Sequence, residues 1–473
     1  MKKLTSAVIF AAVALTGYAK TVVYPAPAEC RLNDSFSLDI RQGDGAWQPV
    51  DIYAIKVDKT EAGKHKAVFT SMAYFDFDGT VDVRVISHRQ KVQEAKVRPL
   101  SYNITPACAG DTLTFSLDRP RQLSVEVNGE IFDNLHIFAN PIDRNVPVNL
   151  KKWRKNKDNL YFGPGYHKLD SVMKVGSGKN VYIAGGAWVD GTIIVSGDNV
   201  KVSGRGMVYP AKGRAGIEVQ RSNDVEIEGI FSTQCPVGQS NRVHVENVKV
   251  MSSYGWGDGF NVFASNDVSY NDIFARTSDD CTTVYATRLG YEGGVDNVKV
   301  EGAVLWADVA HPFMIGLHGN PEKPDTIQNI LYKDIDVLDC NELQTDYQGI
   351  FAIITGDNNL VRNVTFEDIR VENFRKSKLF DIRIAYNKKY CGAPGNSIEN
   401  INFNNITYNG DNSELSLIIG YDDQRIVNGV HFRNLVINGR HLHDKMEGKP
   451  GWYKTSDFVP MYIGEHVENV TFE

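Results

Sequence analysis

The chain has 473 residues and a formal charge of −7 at neutral pH, with 51 Lys and Arg against 58 Asp and Glu. That acidic balance offers no basic face to nucleic acid and no polybasic patch to a membrane surface, so neither is expected as a partner. Six cysteines, at 30, 108, 235, 281, 340 and 391, lack the paired spacing of a zinc site, and neither metal nor cofactor is expected.

Met1-Lys2-Lys3 is a positive start, Leu4 to Leu15 is mostly apolar or small, and Gly17-Tyr18-Ala19 supplies the small residues of a cleavage site. An apolar run of about a dozen residues is too short to span a bilayer. Residues 1–19 are therefore expected to be a cleaved signal peptide, and no membrane span is expected. The short Lys-Lys form points to secretion, or to the periplasm of a Gram-negative bacterium.

Residues 20–145 alternate in the manner of short strands, as in Ser35–Ile40, Val81–Ile86, Leu113–Leu117 and Leu123–Val127, and Asn128-Gly129 is a hairpin signal. An antiparallel β-sandwich is predicted there. Export permits a disulfide between Cys30 and Cys108, while buried free thiols fit the same spacing.

Over residues 146–473 the texture changes. Asn followed by a β-branched residue recurs at 180, 199, 247, 297, 329, 363, 400 and 469, with one residue inserted at Asn223-Asp224-Val225, Asn266-Asp267-Val268 and Asn428-Gly429-Val430. Short strands at intervals of about 20 residues upward, punctuated by Asn and Gly, mark a β-solenoid. Asn tolerates the left-handed conformation that tight corners need. The longer intervals after Asn266 predict loops that wall a cleft on one face. The chain is thus read as all-β, a sandwich followed by a right-handed parallel β-helix.

Within the solenoid, Gly257-Asp258-Gly259 is followed by Asp279-Asp280, an interval of about one coil. One coil of separation lays Asp258 over the pair, so three carboxylates converge. Carboxylates that close cannot all ionise comfortably, and pairs of them perform the acid/base steps of glycosidic cleavage. Adjacent residues of a regular strand face opposite ways. Asp279 and Asp280 therefore share a site only at a turn or bulge, which Thr277-Ser278 suits.

An Asp-Gly element followed one coil later by an Asp-Asp pair resembles the clan of inverting glycoside hydrolases that contains polygalacturonases and dextranases. The likeness covers roughly residues 160–440, with Tyr161–His167 similar to the entry into such a helix. The preceding sandwich resembles the dextranase branch. The resemblance implies a polysaccharide or oligosaccharide substrate, Asp279 as general acid, and Asp258 with Asp280 activating water. Three motifs depart from the polygalacturonase pattern. Trp256-Gly257-Asp258 stands where Asn-Thr-Asp is usual, and Arg383-Ile384-Ala385 lacks the lysine of Arg-Ile-Lys. A Gly-His-Gly element is not intact, leaving His311 and His318 as its alternative replacements. The missing lysine favours a neutral, dextran-like glycan over an acidic one.

Tyr254, Trp256, Tyr285 and Trp306 flank these positions and are candidates to stack on sugar rings, with packing between coils as the alternative. Arg383 is a candidate for sugar binding, and Tyr386 and Asn387 follow on its coil. Asp422-Asp423 reads as a loop pair. Two other functions fit parts of the pattern. A Ca²⁺-dependent β-helix lyase would hold its ion on the three Asp, but only Arg276 stands near them as a basic group. A non-catalytic carbohydrate-binding solenoid would explain the aromatics without needing clustered acids.

Overall fold

The computed structural model describes residues 20–61, 63–211 and 215–473; the expected signal peptide lies outside them. At the N-terminal end, two sheets of six and five strands enclose a core that includes Leu38, Val83, Phe75 and Val125. The five-stranded sheet is antiparallel throughout. The six-stranded sheet is not, because Leu135–Pro141 runs parallel to Ala67–Phe77. Asn128 and Gly129 do take positive φ, 53° and 74°. They do not close a two-residue hairpin, however: Val125 pairs with Leu135, so the connection between those strands is longer.

The rest is a parallel β-helix. One sheet of 11 strands runs from Met173–Val175 to Met461–Ile463, and a second of 19 strands, from Asn159–Phe162 onward, supplies the other faces. Among the described residues the only α-helix is a single turn, Leu150–Trp153.

The Asn repeat has a direct structural meaning. Asn297, Asn329, Asn363 and Asn400 all have φ between 54° and 59°. In the variants with an inserted residue the left-handed position moves to the residue just before the β-branched one, namely Asp224, Asp267 and Gly429. The side-chain amides form a ladder up this edge: Asn363 donates to Asn329 at 3.2 Å and Asn400 to Asn363 at 2.8 Å.

Inside the coils, aromatic rings continue the stack. Tyr332, Phe366, Phe403, Phe432 and Phe472 follow one another at centroid distances of 4.8–5.1 Å. That spacing matches the rise of about 4.8 Å between paired strands, so each ring lies face to face with its counterpart on the next coil.

The sandwich packs along one face of the helix. Tyr53, Met72, Tyr74 and Phe138 meet Met207, Phe231, Phe274, Trp306 and Leu338 in a shared apolar cluster. Trp306 is fully buried there, which removes it from the candidates for sugar stacking. Charged groups cross the same seam. Arg98 bonds both Glu126 (2.6 Å) and Glu372 (2.7 Å), and Arg205 pairs with Asp76 at 3.2 Å. The six cysteines are all free thiols, with Cys30 at the seam and Cys108 on an exposed edge strand. Among the described residues, no helix is long and apolar enough to cross a membrane.

Candidate active site

The 11-stranded sheet sets the geometry of the site through its register. Phe260 pairs with Thr282, and Thr282 with Phe313. Asp258, Asp280 and His311 each lie two residues before those positions, so they occupy the same place on three successive coils. Backbone bonds continue the ladder through them: Gly259 N–H to Asp280 C=O (2.8 Å), and Cys281 N–H to His311 C=O (2.7 Å).

Asp279 joins this column because the strand stops short of it. Phe274–Thr277 ends, the chain bends at Ser278, and the Thr277 hydroxyl donates to the Asp279 carbonyl at 2.7 Å. The preceding coil is tied to this bend. Tyr254 N–H donates to Ser278 Oγ at 2.9 Å, Ser278 N–H donates to Ser252 Oγ at 3.0 Å, and the Ser278 hydroxyl donates to the Tyr254 carbonyl. Gly257 has to be glycine here, because a Cβ would sit 2.2 Å from Ser278 Oγ.

The partners of the carboxylates differ. Asp280 accepts from Tyr285 Oη (3.1 Å), from His311 N–H (3.1 Å) and from His311 Nδ1 (2.7 Å). Nε2 of His311 faces the Tyr347 carbonyl. With an acceptor on each ring nitrogen, His311 is satisfied only as the imidazolium. Although burial opposes the charge, Asp280 and its hydrogen bond lift the His311 pKa above the usual value. Asp258 has weaker support, accepting from Asn261 Nδ2 at 2.6 Å. Burial, reinforced by the Asp280 charge, pushes its pKa up to about 7. Burial together with Asp258 and Asp280 holds the Asp279 carboxyl well above the usual range. Asp258 and Asp279 titrate as a coupled pair that retains a proton toward neutrality.

Other expected residues fall at varying distances from this column. Trp256, at φ 61°, is 82% exposed beside Asp258, while Tyr254 is half-buried on the same loop. Tyr285 is buried against Asp280, and the His318 ring meets it edge-on at 4.9 Å. Arg383 Nε lies 2.8 Å from Asp381 Oδ1, and its guanidinium also donates to the Asp346 carbonyl. Arg276 faces away from the carboxylates, pairing with Asp308 at 2.8 Å and meeting Asn134 and His136 of the sandwich. Tyr386 is exposed on the Arg383 coil, and Asp422 closes a local turn with Arg425.

Two neighbours of the cluster escaped the sequence reading. Glu342 is a fourth buried carboxylate whose charge reaches Asp279 and Asp280, and Tyr347 packs edge-on against His311 at 4.6 Å. Both lie on the segment following Thr326–Cys340, within one of the long intervals expected to wall the cleft. The interval length was the only sequence signal for them.

Comparison with known proteins places the chain in a family. The profile of Glycosyl hydrolases family 28 matches residues 133–450, starting within the last stretch of the sandwich. Endopolygalacturonase I of Aspergillus oryzae is 27% identical over 195 residues, which are 39% of this chain and 48% of that protein. Probable endo-xylogalacturonan hydrolase A of Aspergillus fumigatus is 29% identical over 147 residues, 30% of this chain and 32% of that one. The chain therefore spans half or less of the length of these curated relatives. Dex49A from Penicillium minioluteum shares the fold over 96% of both chains, with a TM-score of 0.59 at 13% identity. With a match over most of its length to one profile, this chain belongs to Glycosyl hydrolases family 28.

Proposed function

We propose that the protein cleaves O-glycosidic bonds of a polysaccharide or oligosaccharide with inversion at the anomeric carbon. The observation carrying this reading is the register that stacks Asp258 on Asp280 with Asp279 at their side. Asp279, whose proton is held by burial and two neighbouring anions, donates it to the departing glycosidic oxygen as that C–O bond breaks. A water on the opposite face of the sugar forms the new C–O bond and gives its proton to Asp258 or Asp280. This division between a protonated acid and an ionised base is the one an inverting hydrolase requires. His311 and Tyr285 donate to Asp280 and hold it oriented. Trp256 provides a ring face at the rim for the apolar side of a sugar.

Residues 20–145 act as a support for the catalytic β-helix of residues 146–473, and the protein is exported by cleavage of residues 1–19. The relatives' names, polygalacturonase and xylogalacturonan hydrolase, suggest acidic glycans, whereas the fold likeness to Dex49A suggests a dextran-type one.

The test is reducing-end release from a panel of neutral and acidic polysaccharides, with NMR of the first-formed anomer. Release by wild type, with the inverted anomer first and loss in Asp279→Asn, is the expected result. Equal release by both proteins would remove Asp279 as the acid.

A further inference from the structure

The family profile begins at residue 133, yet a part of the chain well ahead of it reaches the rim of the cleft. The strands Tyr53–Asp58 and Ala67–Phe77 pair antiparallel as far as Asp58 with Ala67, and a bridge between Glu61 and Lys64 continues the hairpin. Ile55 and Val57 share the seam cluster with Met251, the last residue of the strand before the Asp258 loop. The far end of the hairpin lies against that loop. There the His65 imidazole faces Gly255, where a Cβ would stand 3.6 Å from Nε2 and 3.7 Å from Cδ2.

The ring is held in a fixed direction. Its Nδ1 donates to Oδ2 of Asp58, which is fully buried and also accepts from Lys66 N–H at 3.3 Å. A buried carboxylate needs such bonds, and a carboxylate on one ring nitrogen sets which way the other points. That other nitrogen, Nε2, has no hydrogen-bond partner among the described residues, and the side chain is nearly half exposed.

Both sides of the contact are anchored. At the base of the hairpin tip, Lys59 Nζ lies over the Phe132 ring at 5.6 Å, and the same ring receives Arg276 at 5.4 Å and Arg375 at 5.2 Å from the helix. On the loop, Gln234 Nε2 donates to the Trp256 carbonyl at 2.9 Å, and Tyr254 N–H is tied to Ser278. His65 beside Gly255, the exposed Trp256 ring and Asp258 are therefore set along four residues of pinned chain.

We propose that His65 is a sugar-binding residue that the sandwich contributes to the cleft, with Asp58 as its positioning residue. Nε2 bonds a hydroxyl of the sugar unit whose apolar face rests on Trp256. The inference rests on the hydrolase reading above, and it makes residues 20–145 a wall of the substrate site as well as a support. Stacking on Trp256 alone holds a ring at the rim but lets it slide. A hydrogen bond of fixed direction sets the ring's position relative to the bond being cleaved. The bond asks only for a hydroxyl, which neutral and acidic glycans both offer.

The test is calorimetric titration of isomaltohexaose and of hexagalacturonic acid into Asp279→Asn, with and without His65→Ala. Whichever hexasaccharide binds names the glycan class, and its affinity is expected to fall about tenfold when His65 is lost. His65→Gln, which keeps a polar tip near the place of Nε2, should restore part of that loss. Asp58→Asn should weaken binding by about threefold when His65 is present and have no further effect in His65→Ala, because Asp58 acts only through the ring. Unchanged affinity in His65→Ala, or the same loss from Asp58→Asn with and without His65, would overturn the assignment. Because titration reads binding without turnover, failure of the hydrolase reading would show separately, as reducing-end release that survives Asp279→Asn.

Discussion

Two groups of buried charge flank the strand Phe274–Thr277, and they are opposite in kind. On the seam side, Arg276 and Arg375 bracket Asp308, Arg375 also reaches Asp339 at 2.6 Å, and opposite charges compensate one another. On the cleft side, Asp258, Asp279, Asp280 and Glu342 crowd together with one imidazolium, His311, bonded to the column. The first arrangement removes the desolvation cost by pairing and fixes how the sandwich meets the helix. The second leaves like charges uncompensated, so the site holds a proton that solvent would otherwise take. A protein can thus bury charge either to set geometry or to set protonation, and here a few residues of one strand separate the two.

Substitutions on each side should separate these roles. The largest effect is expected for Asp279→Asn, a loss of about 10³- to 10⁴-fold in kcat with Tm unchanged or slightly raised. A fall in Tm comparable to that of a seam variant would break the distinction. Next comes Arg276→Met, which leaves Asp308 with Arg375 alone and should cost about 3 kcal/mol in urea unfolding. Activity per folded molecule should be retained below the transition, and selective loss of kcat there would mean that the seam also serves catalysis.

His311→Gln tests the imidazolium bonded to the column. Without the imidazolium the acidic column loses its bonded counter-charge, kcat should fall by about 10²-fold, and the acid limb of the pH–rate profile should move to higher pH. An unmoved profile would show that His311 only fills space. The smallest effect concerns stability against pH. Asp258 is an aspartate with its folded pKa raised to about 7. Between the ordinary aspartate value and that pH, the folded chain holds a proton that the unfolded chain releases, so stability falls as pH rises through the window. With this carboxyl partly exposed and coupled to its neighbours, we expect a slope below about 1 kcal/mol per pH unit. Asp258→Asn should flatten it, which thermal melts from acid to neutral pH would measure.

Much of this was legible from residue order. The Asn repeat located the left-handed corners, and the interval from Asp258 to Asp280 matched one coil because both lie in the same register of one sheet. The turn needed to bring Asp279 and Asp280 together falls at Ser278. What stayed hidden was the direction in which side chains face once a second layer covers the sheet. Trp306 and Arg276 turn toward the sandwich, and nothing in their local sequence says which face that is. Arg383 stands at the start of the incomplete Arg-Ile-Lys motif, yet it is engaged by Asp381 two residues earlier and by a carbonyl from the loop of a different coil. Tyr347 and Glu342 reach the site through loops whose length could be read but whose path could not.

The corner ladder of Asp267, Asn297, Asn329, Asn363 and Asn400 has a consequence for how such a protein changes over time. Each coil restarts at the same left-handed step, whatever length of chain intervened. Its Asn amide bonds back to the corner of the coil before it, Asn329 reaching Asp296 where the others reach the corner residue itself. Insertions on the opposite side therefore leave the stacking of later coils undisturbed. The cleft can be lengthened, narrowed or recharged by adding or trimming loops, while the column of acids stays where the corners put it. Selection can edit what the enzyme recognises without renegotiating how it folds.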